Sequence, residues 1–117
     1  MLLLDIGNTH SRIARAEGEK ITVLRMVRSC DLAPELLPLQ KGEEAWGASV
    51  VPAVAAKLPG VRFITAAETR AVLDLSCVDS STVGADRLSN AAAALDMELP
   101  VLILDCGIDF TIELVDR

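Results

Sequence analysis

Aromatic residues are scarce in this chain of 117 residues, which has no tyrosine, one tryptophan and two phenylalanines. Its core must therefore be built from aliphatic side chains and alanine. Apolar residues make up 51% of the sequence, and this composition argues against intrinsic disorder. The length suffices for one domain with a modest hydrophobic core.

Histidine and cysteine are also rare. The single histidine, His10, gives no support for a histidine-based catalytic triad or a zinc site. The three cysteines, Cys30, Cys77 and Cys106, lie far apart and form no C-x-x-C pair. Cysteines of this kind are typical of reduced thiols, so we expect a cytoplasmic protein.

Basic residues are fewer than acidic ones, and the formal net charge is −6. This balance argues against nucleic acid as a main partner. No apolar stretch of the sequence is long enough to span a membrane. We therefore expect neither nucleic acid nor a membrane among the partners.

An apolar run that ends in Asp-x-Gly occurs twice, at residues 2–7 and at residues 102–107. Each run predicts a buried strand, and the glycine allows a sharp turn where the strand ends. Each aspartate then stands at the mouth of a turn, where it can meet a metal ion or a phosphate. Two such strands suggest a cleft with an acidic loop on each wall, a layout typical of nucleotide-dependent phosphotransferases.

The order of the predicted elements indicates an α/β fold. Three strands, at residues 2–6, 11–16 and 21–24, are joined by short turns and predict an antiparallel meander. Helices then alternate with strands, which implies parallel strands joined by helical crossovers. The last of these helices is predicted over about residues 84–97.

Shorter signals mark other elements. Asp31 predicts the start of a short helix with Pro34 in its first turn. Thr65 and Glu68 fit a capping box for a helix over about residues 66–73. After the second Asp-x-Gly run, apolar residues at every second position predict a half-buried strand: Phe110, Ile112 and Leu114.

The first candidate site is Asp5-Ile6-Gly7-Asn8-Thr9. Gly7 allows backbone N–H groups to approach a phosphate closely, and the Asn8 amide and Thr9 hydroxyl can donate to phosphate oxygens. Asp5 can hold Mg²⁺, which favours one or two carboxylates together with water. The alternative is an ordinary hairpin turn, because these residue types all favour turns.

The second candidate site is Gly84-Ala85-Asp86-Arg87, at the start of the predicted long helix. The helix dipole favours a carboxylate at Asp86, which could accept a proton from a substrate hydroxyl. Arg87 could bind a substrate carboxylate through two parallel hydrogen bonds. The alternative is that Asp86 only complements the helix dipole and that Arg87 is solvated.

The third candidate site runs from Asp105 to Thr111. Asp105 could share a cation with Asp5, and Thr111 could reach a phosphate. Asp109 is unfavourable for this function, because a second carboxylate repels a phosphate unless a metal intervenes. The alternative is again a hairpin turn.

Together, the order and spacing of these three segments resemble those of the type III pantothenate kinases, whose relatives include the Bvg accessory factor proteins. The resemblance spans essentially the whole chain. It implies a ribonuclease H-like fold of the actin, Hsp70 and sugar-kinase type, with two related lobes around a nucleotide cleft. On this basis residues 1–97 would form the N-terminal lobe, and residues 98–117 would begin a truncated second lobe.

The resemblance also implies a reaction and its ligands. ATP would phosphorylate the primary hydroxyl of pantothenate in coenzyme A biosynthesis, with Mg²⁺, a monovalent cation such as K⁺ or NH₄⁺, and a homodimeric enzyme. Asp86 would be the general base. The other roles carried over by motif are contact with ATP phosphates (Asp5, Gly7, Asn8, Thr9, Gly107 and Thr111), contact with pantothenate (Gly84, Asp86 and Arg87) and metal binding (Asp5 and Asp105).

The sequence departs from the family pattern near the second Asp-x-Gly. Ile108 stands where the family usually has threonine, and Asp109 where it has a small residue, so a hydroxyl donor is lost and a negative charge is added. Glu113 stands where the family tends to have a shorter Asp or Asn. With only the beginning of a second lobe, we expect little activity. The alternatives are a non-catalytic binding or regulatory relative and another small-molecule kinase of the same superfamily.

Overall fold

A five-stranded mixed sheet forms the first part of the protein in the computed structural model, which describes residues 1–107 and 110–117. Its strands are β1 (Leu2–Ile6), β2 (His10–Glu17), β3 (Lys20–Arg28), β4 (Ala45–Ser49) and β5 (Arg62–Phe63). Their order in the sheet is β3-β2-β1-β4-β5. β1, β2 and β3 are antiparallel neighbours, whereas β4 runs parallel to both β1 and β5. The predicted meander and the parallel strands after it are confirmed, and the class is mixed α/β.

One face of this sheet carries the main hydrophobic core. Alternate residues of β1 point into it, so that Leu2, Leu4 and Ile6 are almost fully buried. Aliphatic residues from β2 and from the segments after β3 complete the core: Ile13, Leu32, Ala45, Val54, Leu58 and Val61. The expectation of an aliphatic core is therefore met in this part of the chain.

The prediction of a helix that begins at Asp31 is wrong. Two 3₁₀ turns occupy the region instead, at Ser29–Asp31 and at Pro34–Leu36. Ala33 between them is extended, with φ −141° and ψ 157°. A residue before proline is disfavoured in the helical region, so Pro34 prevents one continuous helix.

The helices predicted over residues 66–73 and 84–97 are shorter than predicted. α1 spans Pro52–Ala55, and α2 spans Ala66–Thr69 with the expected capping box at its start. α3 spans Ala85–Ala94, with Gly84 as its N-cap residue. The next backbone N–H groups bond three residues back, as Met97 does to the carbonyl of Ala94 at 3.0 Å. This tightening ends the α-helix before residue 97.

A separate hairpin forms the last part of the chain. β6 (Val101–Cys106) pairs with β7 (Phe110–Val115), and Ile108 and Asp109 between them lie outside the described residues. β7 is half-buried as predicted, but its apolar residues Phe110, Ile112 and Leu114 are exposed. The opposite face is the covered one, because α3 packs on the hairpin.

The chain divides into two compact units, Met1–Ile64 and Thr65–Arg117, called here the first and the second unit. The predicted boundary between residues 97 and 98 separates two lobes by family resemblance, not two compact units, and it stays a prediction. No helix within residues 1–107 or 110–117 combines the length and apolar character needed to cross a membrane.

Candidate functional site

The turn after β1 is closed by a hydrogen bond from the backbone N–H of Gly7 to the carbonyl of His10, at 3.1 Å. A Cβ atom at Gly7 would lie only 3.1 Å from the same carbonyl oxygen. Positive φ angles in the described glycines occur at Gly18 and Gly42 and not at Gly7. Close backbone approach, and not a left-handed conformation, therefore favours glycine here.

Two buried serines hold this turn in place. The Ser29 hydroxyl donates to the Gly7 carbonyl at 2.6 Å, and the Ser29 backbone N–H donates to the Thr9 carbonyl at 2.9 Å. Because the only hydroxyl proton of Ser29 is used in this way, Ser11 must be the donor in the 2.9 Å contact between the two hydroxyls. Sequence reasoning missed both residues. The signal was Ser11, a polar residue at a core-facing position of β2.

The side chains at the tip of the turn have no partner among the described residues. Asn8 and Thr9 are exposed, and neither side chain makes a hydrogen bond to the described residues. As far as the structure describes the chain, an amide and a hydroxyl are therefore unpaired on a turn whose backbone is held by Ser29. This arrangement can donate hydrogen bonds to an anionic ligand.

Asp5 lies on the other face of β1 from the core. Its side chain is 54% exposed, and its Oδ2 atom lies 3.0 Å from Nη1 of Arg12 in β2. The accessible carboxylate fits the needs of Mg²⁺, which takes one or two protein carboxylates and keeps several waters. Arg12 competes for one of the two oxygens, and sequence reasoning missed this partner.

In the second unit, Asp86 and Arg87 lie in the first turn of α3. The Oδ1 atom of Asp86 accepts a hydrogen bond from the backbone N–H of Arg87 at 2.8 Å. Asp86 thus complements the helix N-terminus, as predicted. Both side chains are only partly exposed.

Arg87 is not freely solvated, in contrast to the alternative interpretation of this segment. Its Nε atom donates to Oε1 of Glu113 in β7 at 3.1 Å. The Glu113 side chain is 9% exposed, whereas that of Arg87 is 36% exposed. Sequence reasoning noted Glu113 only as a departure from the family pattern and missed this ion pair.

The surroundings of Glu113 disfavour its charge. Burial is the largest cause that raises the pKa of Glu113, and the hydrogen bond and charge of Arg87 lower the pKa without reversing the net rise. The carboxylates of Asp86 and Asp105 raise the pKa of Glu113 further. Arg87, Glu113, Asp86 and Asp105 are therefore electrostatically coupled, and we call them the Arg87 cluster. Perturbed pKa values of this kind are enriched at functional sites.

Thr111 lies opposite Asp105 in the pairing of β6 with β7. Its Oγ1 atom is buried and has no hydrogen-bond partner within residues 1–107 and 110–117. An unpaired buried hydroxyl is costly, and unpaired polar groups in native proteins call for a specific explanation. The hydroxyl and the Asp105 carboxylate are both oxygen ligands of the type that hard cations take.

The predicted site residues fall into two groups, each within one unit. The first unit contains Asp5 and the Gly7–Thr9 turn, and the second contains Gly84, the Arg87 cluster, Gly107 and Thr111. Gly107 directly follows β6, and the predicted effects of Ile108 and Asp109 lie outside the described residues. Cation sharing between Asp5 and Asp105 would join the two units and stays a prediction. The part of the chain that the structure describes contains no group of three or more His, Cys, Asp or Glu residues placed to hold a metal ion.

A family model described as type III pantothenate kinase matches residues 1–117, the whole chain. No curated protein matches the chain.

Proposed function

The chain belongs to the type III pantothenate kinase family, and we propose that it binds pantothenate and ATP and transfers the γ-phosphoryl group between them. The observation that carries the proposal is the Arg87 cluster. The Asp86 carboxylate at the start of α3 accepts from the backbone N–H of Arg87, and the guanidinium of Arg87 is held by Glu113 at Nε and is partly exposed. This pair offers a proton acceptor and a carboxylate receptor next to each other.

In the proposed reaction, Asp86 accepts the proton of the pantothenate primary hydroxyl. The hydroxyl oxygen forms a bond to the γ-phosphorus of ATP, and the bond from that phosphorus to the bridging oxygen breaks to release ADP. Gly84 and Arg87 hold the substrate, with Arg87 on its carboxylate. Such a step depends mainly on positioning and charge stabilisation.

Gly7, Asn8 and Thr9 would contact the ATP phosphates, a role that the family resemblance also implies for Gly107 and Thr111. Within residues 1–107 and 110–117, the side chains of Asn8 and Thr9 and the hydroxyl of Thr111 have no hydrogen-bond partner, which supports this assignment. Mg²⁺, when bound at Asp5, would neutralise charge on the phosphates. Family membership supports the remaining proposals: K⁺ or NH₄⁺ near Asp105, a homodimer, and a ribonuclease H-like fold.

Product formation tests the proposal. The chain is incubated with ATP and pantothenate, and phosphopantothenate and ADP are quantified by mass spectrometry. We expect slow formation of both products in equal amounts, because Ile108 and Asp109 remove a hydroxyl and add a negative charge in the 105–111 segment. ADP that forms without phosphopantothenate would contradict the proposal.

Asp86→Asn tests the role of the general base. Loss of the proton acceptor should lower the rate at least about 100-fold, the usual contribution of general-base catalysis. The matched control is Asp96→Asn, since Asp96 is exposed beyond the end of α3. An Asp86→Asn variant as fast as the control would remove Asp86 from the reaction.

A non-catalytic binding or regulatory protein is the second candidate. The observation in its favour is the pair Ile108 and Asp109, both unfavourable beside a triphosphate. Calorimetry separates the candidates. Pantothenate binding without ATP binding or turnover would favour a pantothenate-binding relative, and binding of neither ligand would refute the kinase proposal.

A further inference from the structure

Glu113 in β7 has no assigned role in the proposed reaction, yet it makes the only side-chain hydrogen bond of Arg87 within the described residues. The contact uses Nε, on one edge of the guanidinium. The two terminal nitrogens are left without a partner in the described parts of the chain. Two adjacent N–H groups remain on that side, which is the geometry that binds a carboxylate bidentately.

The difference in burial between Glu113 and Arg87 indicates which of the two side chains is fixed and which is accessible. Glu113 is 9% exposed and sits on the face of the hairpin that α3 covers, so it is the fixed partner. Arg87 is 36% exposed, so part of its side chain reaches the solvent. An arginine loses much rotamer freedom when it binds a ligand, and anchoring in advance lowers that cost.

We infer that Glu113 is a positioning residue for substrate recognition, which holds Arg87 by Nε so that its terminal nitrogens receive the carboxylate of pantothenate. The inference rests on the proposed function. It explains why a carboxylate is kept beside Asp86 and Asp105, where burial and like charge both disfavour its ionised form.

The inference makes a prediction opposite in sign to that of simple electrostatics. Removal of a negative charge near an anion site should strengthen anion binding by Coulomb's law. If Glu113 acts by positioning Arg87, its removal should weaken binding. The hydrogen bond involves two charged groups, and its loss should weaken pantothenate binding on the order of tenfold.

The experiment compares the whole chain with Glu113→Leu and with the matched control Glu98→Leu, since Glu98 is exposed in the same unit. Calorimetry measures binding of pantothenate and of pantothenamide, its neutral amide. We expect Glu113→Leu to weaken pantothenate binding about tenfold and to leave pantothenamide binding nearly unchanged. Glu98→Leu should change neither.

The other outcomes are distinguishable. Equal or tighter pantothenate binding by Glu113→Leu, or equal weakening for both ligands, would overturn the inference while the proposed function stands. Failure of the unchanged chain to bind either ligand would overturn both. If Glu113→Leu does not fold, Glu113→Gln replaces it, with a smaller loss in the same direction because a neutral amide accepts the hydrogen bond more weakly.

Discussion

The two Asp-x-Gly runs have nearly the same sequence, but opposite faces of the two strands are covered. In β1, Leu2 and Leu4 are 0% and 4% exposed, and Asp5 lies on the open face. In β6, Leu102 and Leu104 are 60% and 56% exposed, whereas Asp105 is partly buried on the face that α3 covers. Side chains alternate along a strand, so the covered face decides which residues become core. The first run therefore supplies core residues, and the second brings its aspartate into the Arg87 cluster.

Each unit also contains an arginine–glutamate pair, and the two pairs differ in the number of hydrogen bonds that hold them. In the first unit, Arg15 donates to both oxygens of Glu43, at 2.9 and 3.1 Å, and the backbone N–H of Gln40 donates to Glu43 at 3.0 Å. In the second, one contact joins Arg87 to Glu113. The first pair is bidentate and Arg15 also donates to the carbonyl of Pro38, whereas both terminal nitrogens of Arg87 have no partner in the described residues and can receive a ligand.

Substitution of one leucine in each run gives the largest expected difference. Leu4→Ala leaves a cavity in the core and should cost about 2–5 kcal/mol of unfolding free energy. Leu104→Ala, the equivalent change in the second run, should cost about 0.5 kcal/mol, because Leu104 is already exposed. Urea denaturation followed by circular dichroism measures both. Equal costs would mean that the two runs are equally buried.

A smaller effect is expected from Ser29→Ala, which removes the hydroxyl behind the Gly7–Thr9 turn. The carbonyl of Gly7 and the hydroxyl of Ser11 would lose their partner, at a cost of about 1–3 kcal/mol. Fluorescence of Trp46, which lies in the first unit, reports the unfolding transition in urea. The control is Ser76→Ala, at an exposed position, and a loss no larger than that of the control would show that the serine pair does not support the turn.

The pH dependence of stability should distinguish the two glutamates by sign. The hydrogen bonds from Arg15 and Gln40 lower the pKa of Glu43 to about 2, so its contribution is complete above about 4.5 and is lost as the pH falls through about 2. Burial raises the pKa of Glu113, so its ionisation costs stability as the pH rises above about 4.5. Between about pH 2 and pH 4.5, the slope of the unfolding free energy against pH reports the protons taken up on unfolding. Glu43→Gln should therefore lower this slope by the equivalent of up to one proton.

The variant Glu113→Gln should change that dependence in the other direction. It should abolish the small stability loss that Glu113 causes as the pH rises from about 4.5 towards neutrality. Chemical denaturation at a series of pH values measures both variants. Slopes that change with the same sign would contradict the distinction between the two pairs.

Much of the fold could be predicted from local patterns. The strand at 2–6 has the predicted bounds, and the turn between Glu17 and Lys20 joins β2 to β3 as expected. The capping box of Thr65 and Glu68 is present. These features depend on residues close together in the chain, so the sequence pattern contains the information they need.

Features that depend on packing were not predictable. Alternation in Phe110–Val115 predicts a strand with two different faces, but only the position of α3 decides which face is covered. Likewise, the contact between Arg87 and Glu113 joins residues 26 positions apart, and no local pattern specifies it. The proposed site residues of the second unit come from motifs and stay predictions, whereas the partner of Arg87 required the structure.

The central claim is that the second unit recognises pantothenate through the Arg87 cluster. Nuclear magnetic resonance of the ¹⁵N-labelled chain during titration with pantothenate tests it most directly. We predict that the largest amide shift changes lie at Gly84–Arg87 and at Glu113. Shift changes confined to the first unit, or no changes at saturating pantothenate, would contradict the claim.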